Sequence, residues 1–111
     1  MNITILGLGP GDPDLLTRRA WDLLSQADEV YLRTRRHPTV AELPEHLVLH
    51  DFDHLYDTLN GFAEVYDTIA EQILALGLRR EGVLYAVPGH PMGGEASVQH
   101  SRLMIRASTT T

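Results

Sequence analysis

The chain has 111 residues, 43% hydrophobic and 22% charged, which fits one modest soluble domain with a limited core. Its net charge of -6 argues against nucleic acid as the default partner, because phosphate binding needs a basic face. There is no cysteine and no lysine. Disulfides, zinc–thiolate sites, a phosphate-loop lysine and Schiff-base chemistry are therefore excluded within this chain.

Residues 2 to 6 read as a short buried strand that ends where Gly7 begins a loop. Thr17 is a predicted helix cap, followed by Ala20, Leu23, Leu24 and Ala27 on one face. Asp28 opens a second strand, in which Val30 and Leu32 alternate with polar neighbours. Residues 35–46 form a connector bounded by Pro38 and Pro44, with room for one helical turn. Leu47 to Phe52 is a third strand, and His50 to Asn60 reads as a polar loop. Phe62, Val65, Tyr66, Ile69, Ile73 and Leu76 then step at helical intervals, and Gly77 is expected to close that helix as a left-handed cap. "GVLYAVPG" is a fourth strand, apolar enough to be buried on both faces. A last helix is expected from about Glu95.

This alternation predicts an α/β fold: an open, mainly parallel sheet of about four strands with helices on its faces. No signal peptide or membrane-spanning run is present, so the expected setting is cytoplasmic. "ASTTT" lacks any capping logic. Residues 1–111 are accordingly read as a single α/β domain, a truncated fragment.

Two loops concentrate backbone-permissive residues. The first, "GLGPGDPD", carries Gly7, Gly9, Pro10, Gly11 and Asp12. A dinucleotide fingerprint needs its third glycine one place later, where Asp12 stands. Pro10 removes an N–H that a pyrophosphate would use, and Asp12 and Asp14 put negative charge beside any anion. NAD and FAD binding are disfavoured; bare backbone with two carboxylates suits a neutral or cationic ligand. The second loop, "VPGHPMGG", carries Pro88, Gly89, His90 and Met92. Ligands of open parallel sheets sit beyond the carboxyl ends of the strands, so the loops meet there if strands one and four are neighbours.

"GLGPGDPDLLTRRAWDLLSQADEVYLRT" together with "YAVPGHPM" resembles the N-terminal half of the tetrapyrrole methylase family, S-adenosylmethionine-dependent methyltransferases of the precorrin and uroporphyrinogen type. "VYLRTRRHP" and "PGHP" are similar to the methylase-like domain fused to MazG-type nucleotide pyrophosphohydrolases. The resemblance implies that Gly7, Gly9, Pro10, Gly11 and Asp12 line the cleft for a small-molecule methyl acceptor. It implies that Pro88, Gly89, His90 and Met92 contact S-adenosylmethionine, with His90 where many members carry aspartate. It also implies a missing C-terminal methylase domain, and hence no activity of this chain alone. The alternative is a non-catalytic domain, binding a small molecule or mediating dimerisation, attached to a MazG-type enzyme. An exposed apolar face would make the chain a homodimer.

Other groupings carry less. His46, His50, Asp51, Asp53, His54 and Asp57 are metal-ligating types at poor spacing, so no metal is expected and a solvated loop is the simpler reading. Arg33, Arg35 and Arg36 cluster at the end of strand two, either meeting substrate carboxylates or forming a solvated face. Glu64, Asp67 and Glu71 fall on the polar side of their helix, which disfavours a magnesium-dependent pyrophosphohydrolase. Trp21 and Tyr66 are read as packing residues.

Overall fold

The computed structural model describes residues 2–89 and the backbone of 108–110. The elements are β1 (Ile3–Gly7), a 3-10 turn (Pro13–Leu15), α1 (Arg18–Gln26), β2 (Glu29–Leu32), a second 3-10 turn (Pro38–Glu42), β3 (Val48–Asp51), α2 (Asp53–Thr58), α3 (Phe62–Gly77), β4 (Val83–Val87) and β5 (Ser108–Thr110). The strands form one sheet in the order β3-β2-β4-β1-β5, and every pairing is parallel.

Alternation along the two central strands builds a three-layer core. Ile3, Ile5, Val83, Tyr85 and Val87 face one side, where Val65, Ile69 and Ile73 of α3 cover them. Leu6 and Ala86 face the other side, against Ala20 and Leu24 of α1. Ile69 and Ile73 are fully buried, each contributing about 1.5–3 kcal/mol of transfer free energy. The sheet is thus apolar on both faces, as all-parallel sheets are.

The helix starting after Thr17 forms as expected: the Thr17 hydroxyl oxygen accepts from the Ala20 N–H at 3.1 Å. The expected packing role of Trp21 does not hold, since it lies on the outer face of α1 and is 41% exposed. Tyr66 does pack, against Phe62 and Tyr56.

Three expectations need correcting. The stretch from His50 to Asn60 is not a plain loop: it finishes β3 and contains α2, anchored by buried Leu55. Gly77 is the last residue of α3 and has no left-handed conformation; Leu78 follows in a right-handed one. The left-handed glycine that follows this helix is Gly82, in the turn before β4. Phe62 begins α3 but is 69% exposed, so it is not part of the buried stripe. Beyond the four strands of the expected sheet, a fifth, Ser108–Thr110, pairs with β1 through Thr4 and Ser108. The helix anticipated from Glu95 lies outside the described residues.

Candidate functional site

The carboxyl ends of β1 and β4 lie side by side, with Gly7 opposite Val87. Beyond them the pairing continues through the loops. The Leu8 N–H donates to the Val87 carbonyl at 2.8 Å. Gly9 and Gly89 then form an isolated antiparallel bridge: Gly89 N–H donates to Gly9 C=O at 3.0 Å, and Gly9 N–H donates to Gly89 C=O at 3.3 Å. Both glycines hold a φ of 69°, a left-handed conformation that costs a side-chain-bearing residue about 1–2 kcal/mol. A Cβ on Gly89 would meet nothing within 4 Å among the described residues.

A third segment locks this seam. The His37 ring donates from Nε2 to the Gly9 carbonyl at 3.0 Å, while Nδ1 accepts from the Thr39 N–H at 3.2 Å. Accepting at Nδ1 requires that nitrogen to be unprotonated, so the hydrogen sits on Nε2. Both lone pairs of the Gly9 oxygen are thereby engaged. Pro38 packs close to Gly11, within 3.4 Å of where a Cβ would stand. Buried Thr39 completes the clasp, its hydroxyl reaching the Leu8 carbonyl at 3.5 Å. Asp12 has a local role as well: its Oδ1 accepts from the Asp14 N–H at 2.9 Å, and its carbonyl accepts from Leu15 N–H. It remains exposed, keeping negative charge on the rim.

Of the residues singled out for the site, Gly7, Gly9, Pro10, Gly11, Asp12, Pro88 and Gly89 fall on one edge of the sheet, and the Gly9–Gly89 bridge joins their two loops. His90 and Met92 lie outside the described residues. The chain leaving β1 runs to β2 on one side, whereas β5 lies on the other side of β1 from β4. In open parallel sheets, ligands sit where the connections from neighbouring strands diverge in this way.

The arginine cluster divides. Arg35 turns away to pair with Asp51 through Nε and to donate to the Leu49 carbonyl at 2.8 Å. Arg33 and Arg36 instead line a cavity of about 200 Å³ with Thr34, Asp53 and Tyr56. Burial alone would raise the Asp51 pKa, but hydrogen bonds from Arg35 and the Asp53 N–H outweigh it and hold the carboxyl below its ordinary value. The histidines and aspartates between 46 and 57 are not a solvated loop. His46 bonds to the Ala27 carbonyl, His50 to Glu29, and Asp53 to Thr34. No group of three or more metal-ligating side chains occurs among the described residues. Glu64, Asp67 and Glu71 are exposed on α3.

A larger cavity, about 560 Å³, opens at the amino ends of β2 and β4, beside Glu29, Arg79 and Gly82. It is remote from the loops. Arg79 donates to Glu29 there at 2.8 Å, an ion pair that ties the turn before β4 to β2.

The sequence reading missed His37 and Thr39. The only local signal was "HPT", a cap-like residue before a proline that starts a helical turn.

Residues 2–107 match the model of the Tetrapyrrole (Corrin/Porphyrin) Methylases. The chain belongs to that family. It is 46% identical over 98 residues to the uncharacterized protein YabN of Bacillus subtilis (strain 168), covering 87% of this chain and 20% of that one. It is 34% identical over 99 residues to a siroheme synthase of Pseudomonas fluorescens (strain SBW25), covering 84% of this chain and 20% of that one. The chain therefore spans about a fifth of the length of these curated relatives. Among solved structures, uroporphyrin-III C-methyltransferase of Thermus thermophilus in complex with S-adenosylhomocysteine superposes with a TM-score of 0.58 at 22% identity, over 100% of this chain and 47% of that one. A second Thermus thermophilus structure of that enzyme gives 0.62 at 21% identity, covering 98% and 46%. These likenesses establish the tetrapyrrole-methylase α/β fold. No helix among the described residues is long and apolar enough to cross a membrane.

Proposed function

We propose that this chain forms one wall of a methyl-transfer cleft that takes S-adenosylmethionine and a small-molecule acceptor. The observation that carries the reading is the Gly9–Gly89 bridge, which joins two glycine loops at the carboxyl edge of a tetrapyrrole-methylase sheet. The residues fit that cofactor. Glycine backbone at Gly9 and Gly89 permits close approach, and exposed Asp12 sets negative rather than positive charge at the rim. Bound S-adenosylmethionine supplies a methyl group already activated by its positive sulfur. The chain's own work is then binding and alignment rather than proton transfer. On this reading Pro88, Gly89, His90 and Met92 touch the cofactor, and Gly7, Gly9, Pro10, Gly11 and Asp12 border the acceptor. His37 keeps the first loop in register with the second.

On this reading the isolated chain is inactive, the intact protein works in the cytoplasm, and exposed apolar residues such as Trp21 and Val48 support a homodimer. Calorimetric titration of S-adenosylhomocysteine into this chain, and into one extended by a second methylase domain, tests the reading. Binding by the longer chain alone supports it, and methyl transfer by this chain alone contradicts inactivity. No binding by either favours a second reading, a non-catalytic module attached to a MazG-type pyrophosphohydrolase. The small share of YabN that the chain spans leaves room for such a neighbour.

A further inference from the structure

We infer that Asn60 is a site of self-modification: the Gly61 backbone nitrogen attacks its side-chain amide, ammonia is lost, and a carboxylate is left in the turn between α2 and α3. Asn60 is the one asparagine followed by glycine; the other, Asn2, precedes β-branched Ile3. Glycine permits this attack because no Cβ shields its nitrogen. The fold leaves the pair open. Asn60 and Gly61 are both exposed, in the bend between Thr58 and Phe62. Gly61 caps α3 with its carbonyl, which accepts from the Val65 N–H at 3.1 Å, while its own N–H has no acceptor among the described residues. The Asn60 side chain likewise has no hydrogen-bond partner among the described residues. A Cβ on Gly61 would meet none of them within 4 Å. Neither reacting group therefore has to give up a bond. Asn2 is the opposite case: its N–H donates to the Gly77 carbonyl at 2.9 Å, its carbonyl accepts from the Val83 N–H at 3.0 Å, and Ile3 is buried in β1.

In the step itself, solvent base takes the Gly61 N–H proton and the nitrogen bonds to Cγ of Asn60. The Cγ–Nδ2 bond breaks, and Nδ2 leaves as ammonia with a proton from solvent. The product is a cyclic succinimide. Water then opens either of its carbonyls, giving aspartate or isoaspartate at position 60; the net change is one water gained and one ammonia lost, with no oxidation. The two products act differently on α3. Aspartate puts a negative charge beside a helix start that has no side-chain cap, where the helix dipole favours it. Isoaspartate adds a methylene carbon to the main chain and shifts Phe62 against Tyr56 and Tyr66, the two rings it packs on.

The test incubates the full chain at neutral pH, native and in urea, and maps it by mass spectrometry after cleavage at arginine, which puts Asn2 and Asn60 in separate peptides. A gain of one dalton is expected in the Asn60 peptide, with aspartate and isoaspartate forms resolved by chromatography. Because the native fold does not shield the site, its rate is expected to lie within about threefold of the rate in urea. Asn2 in the native chain is expected to react at least about tenfold more slowly than Asn60. Gly61→Ala keeps the backbone, whose φ of 176° any residue adopts, and is expected to slow the conversion about tenfold, in urea as well as in the native chain. Native Asn60 reacting no faster than Asn2, or strongly suppressed relative to urea, would overturn the proposal. So would a Gly61→Ala chain that converts at the parent rate.

Discussion

His37 and Gly9 are 28 residues apart, yet the imidazole Nε2–H closes on the Gly9 carbonyl at 3.0 Å, the same oxygen that accepts from Gly89. One side chain from the β2–β3 connector therefore determines how the loops after β1 and β4 face each other. Replacing His37 by alanine removes this bond and leaves the Thr39 N–H, on a buried residue, without its acceptor. The expected cost is about 1–3 kcal/mol, read as a lower urea midpoint with unchanged slope. Faster amide exchange at Gly89 is expected to accompany it. His37→Asn, whose Oδ1 can still accept from Thr39, is expected to recover part of that loss but not the slow exchange. An unchanged midpoint in the alanine variant would remove His37 from the clasp.

Gly82 and Gly89 separate two effects that a glycine can have. Both have a positive φ, but a Cβ on Gly82 would run into the Asn2 carbonyl oxygen, whereas one on Gly89 meets nothing within 4 Å among the described residues. That Asn2 carbonyl accepts from Val83 N–H at 3.0 Å and sets the register of β1 on β4. Gly82→Ala is expected to destabilise by about 3 kcal/mol or more, combining strain with overpacking. Gly89→Ala should cost only about 1–2 kcal/mol. Thermal unfolding of the two variants side by side decides it. Similar losses would contradict the geometry.

The fold was largely legible where periodicity had room to repeat. Sixteen residues of α3 display the 3.6-residue stripe through Val65, Ile69 and Ile73. Six residues of α2 cannot, and their polar composition hid a helix held by Leu55 and by the Asp53–Thr34 bond. Which glycine would be left-handed was not local information either. Gly77 has the sequence position of a cap, but the Asn2 carbonyl packs against Gly82. Proximity of the two loops followed from strand order, while the role of His37 needed the tertiary contact itself. No spacing rule links a histidine to a carbonyl 28 residues away.

Thr17 offers a local test of helix capping. Its side chain accepts from the Ala20 N–H, and no acidic residue in the first turn of α1 supplements it. Thr17→Ala is expected to cost about 1 kcal/mol. Thr17→Asp should restore most of that stability, because its carboxylate both accepts and complements the helix dipole. Chemical denaturation of the pair gives the comparison, and an alanine variant as stable as the parent would deny the cap any weight.

The acid side of the stability profile should be set at the amino end of the sheet. A hydrogen bond from Arg79 holds the Glu29 carboxyl below its ordinary value of 4.5, and the His50 contact works in the same direction against partial burial. The same bond raises Arg79, whose contribution therefore persists throughout the acidic and neutral range. For Glu29 the folded pKa lies beneath the unfolded one, so folding favours the ionised form. Its contribution is fully present above about pH 4.5 and is lost as the pH falls through the folded value. Asp51, also lowered, adds to the loss in that direction. Glu29→Gln should therefore flatten the dependence of the urea midpoint on pH below 5 while changing little in its slope. Because Glu29 and Arg79 are each about one-third exposed, half-molar salt should shrink the difference between parent and variant. A variant that keeps the full acid dependence would move the effect away from Glu29 and onto Asp51.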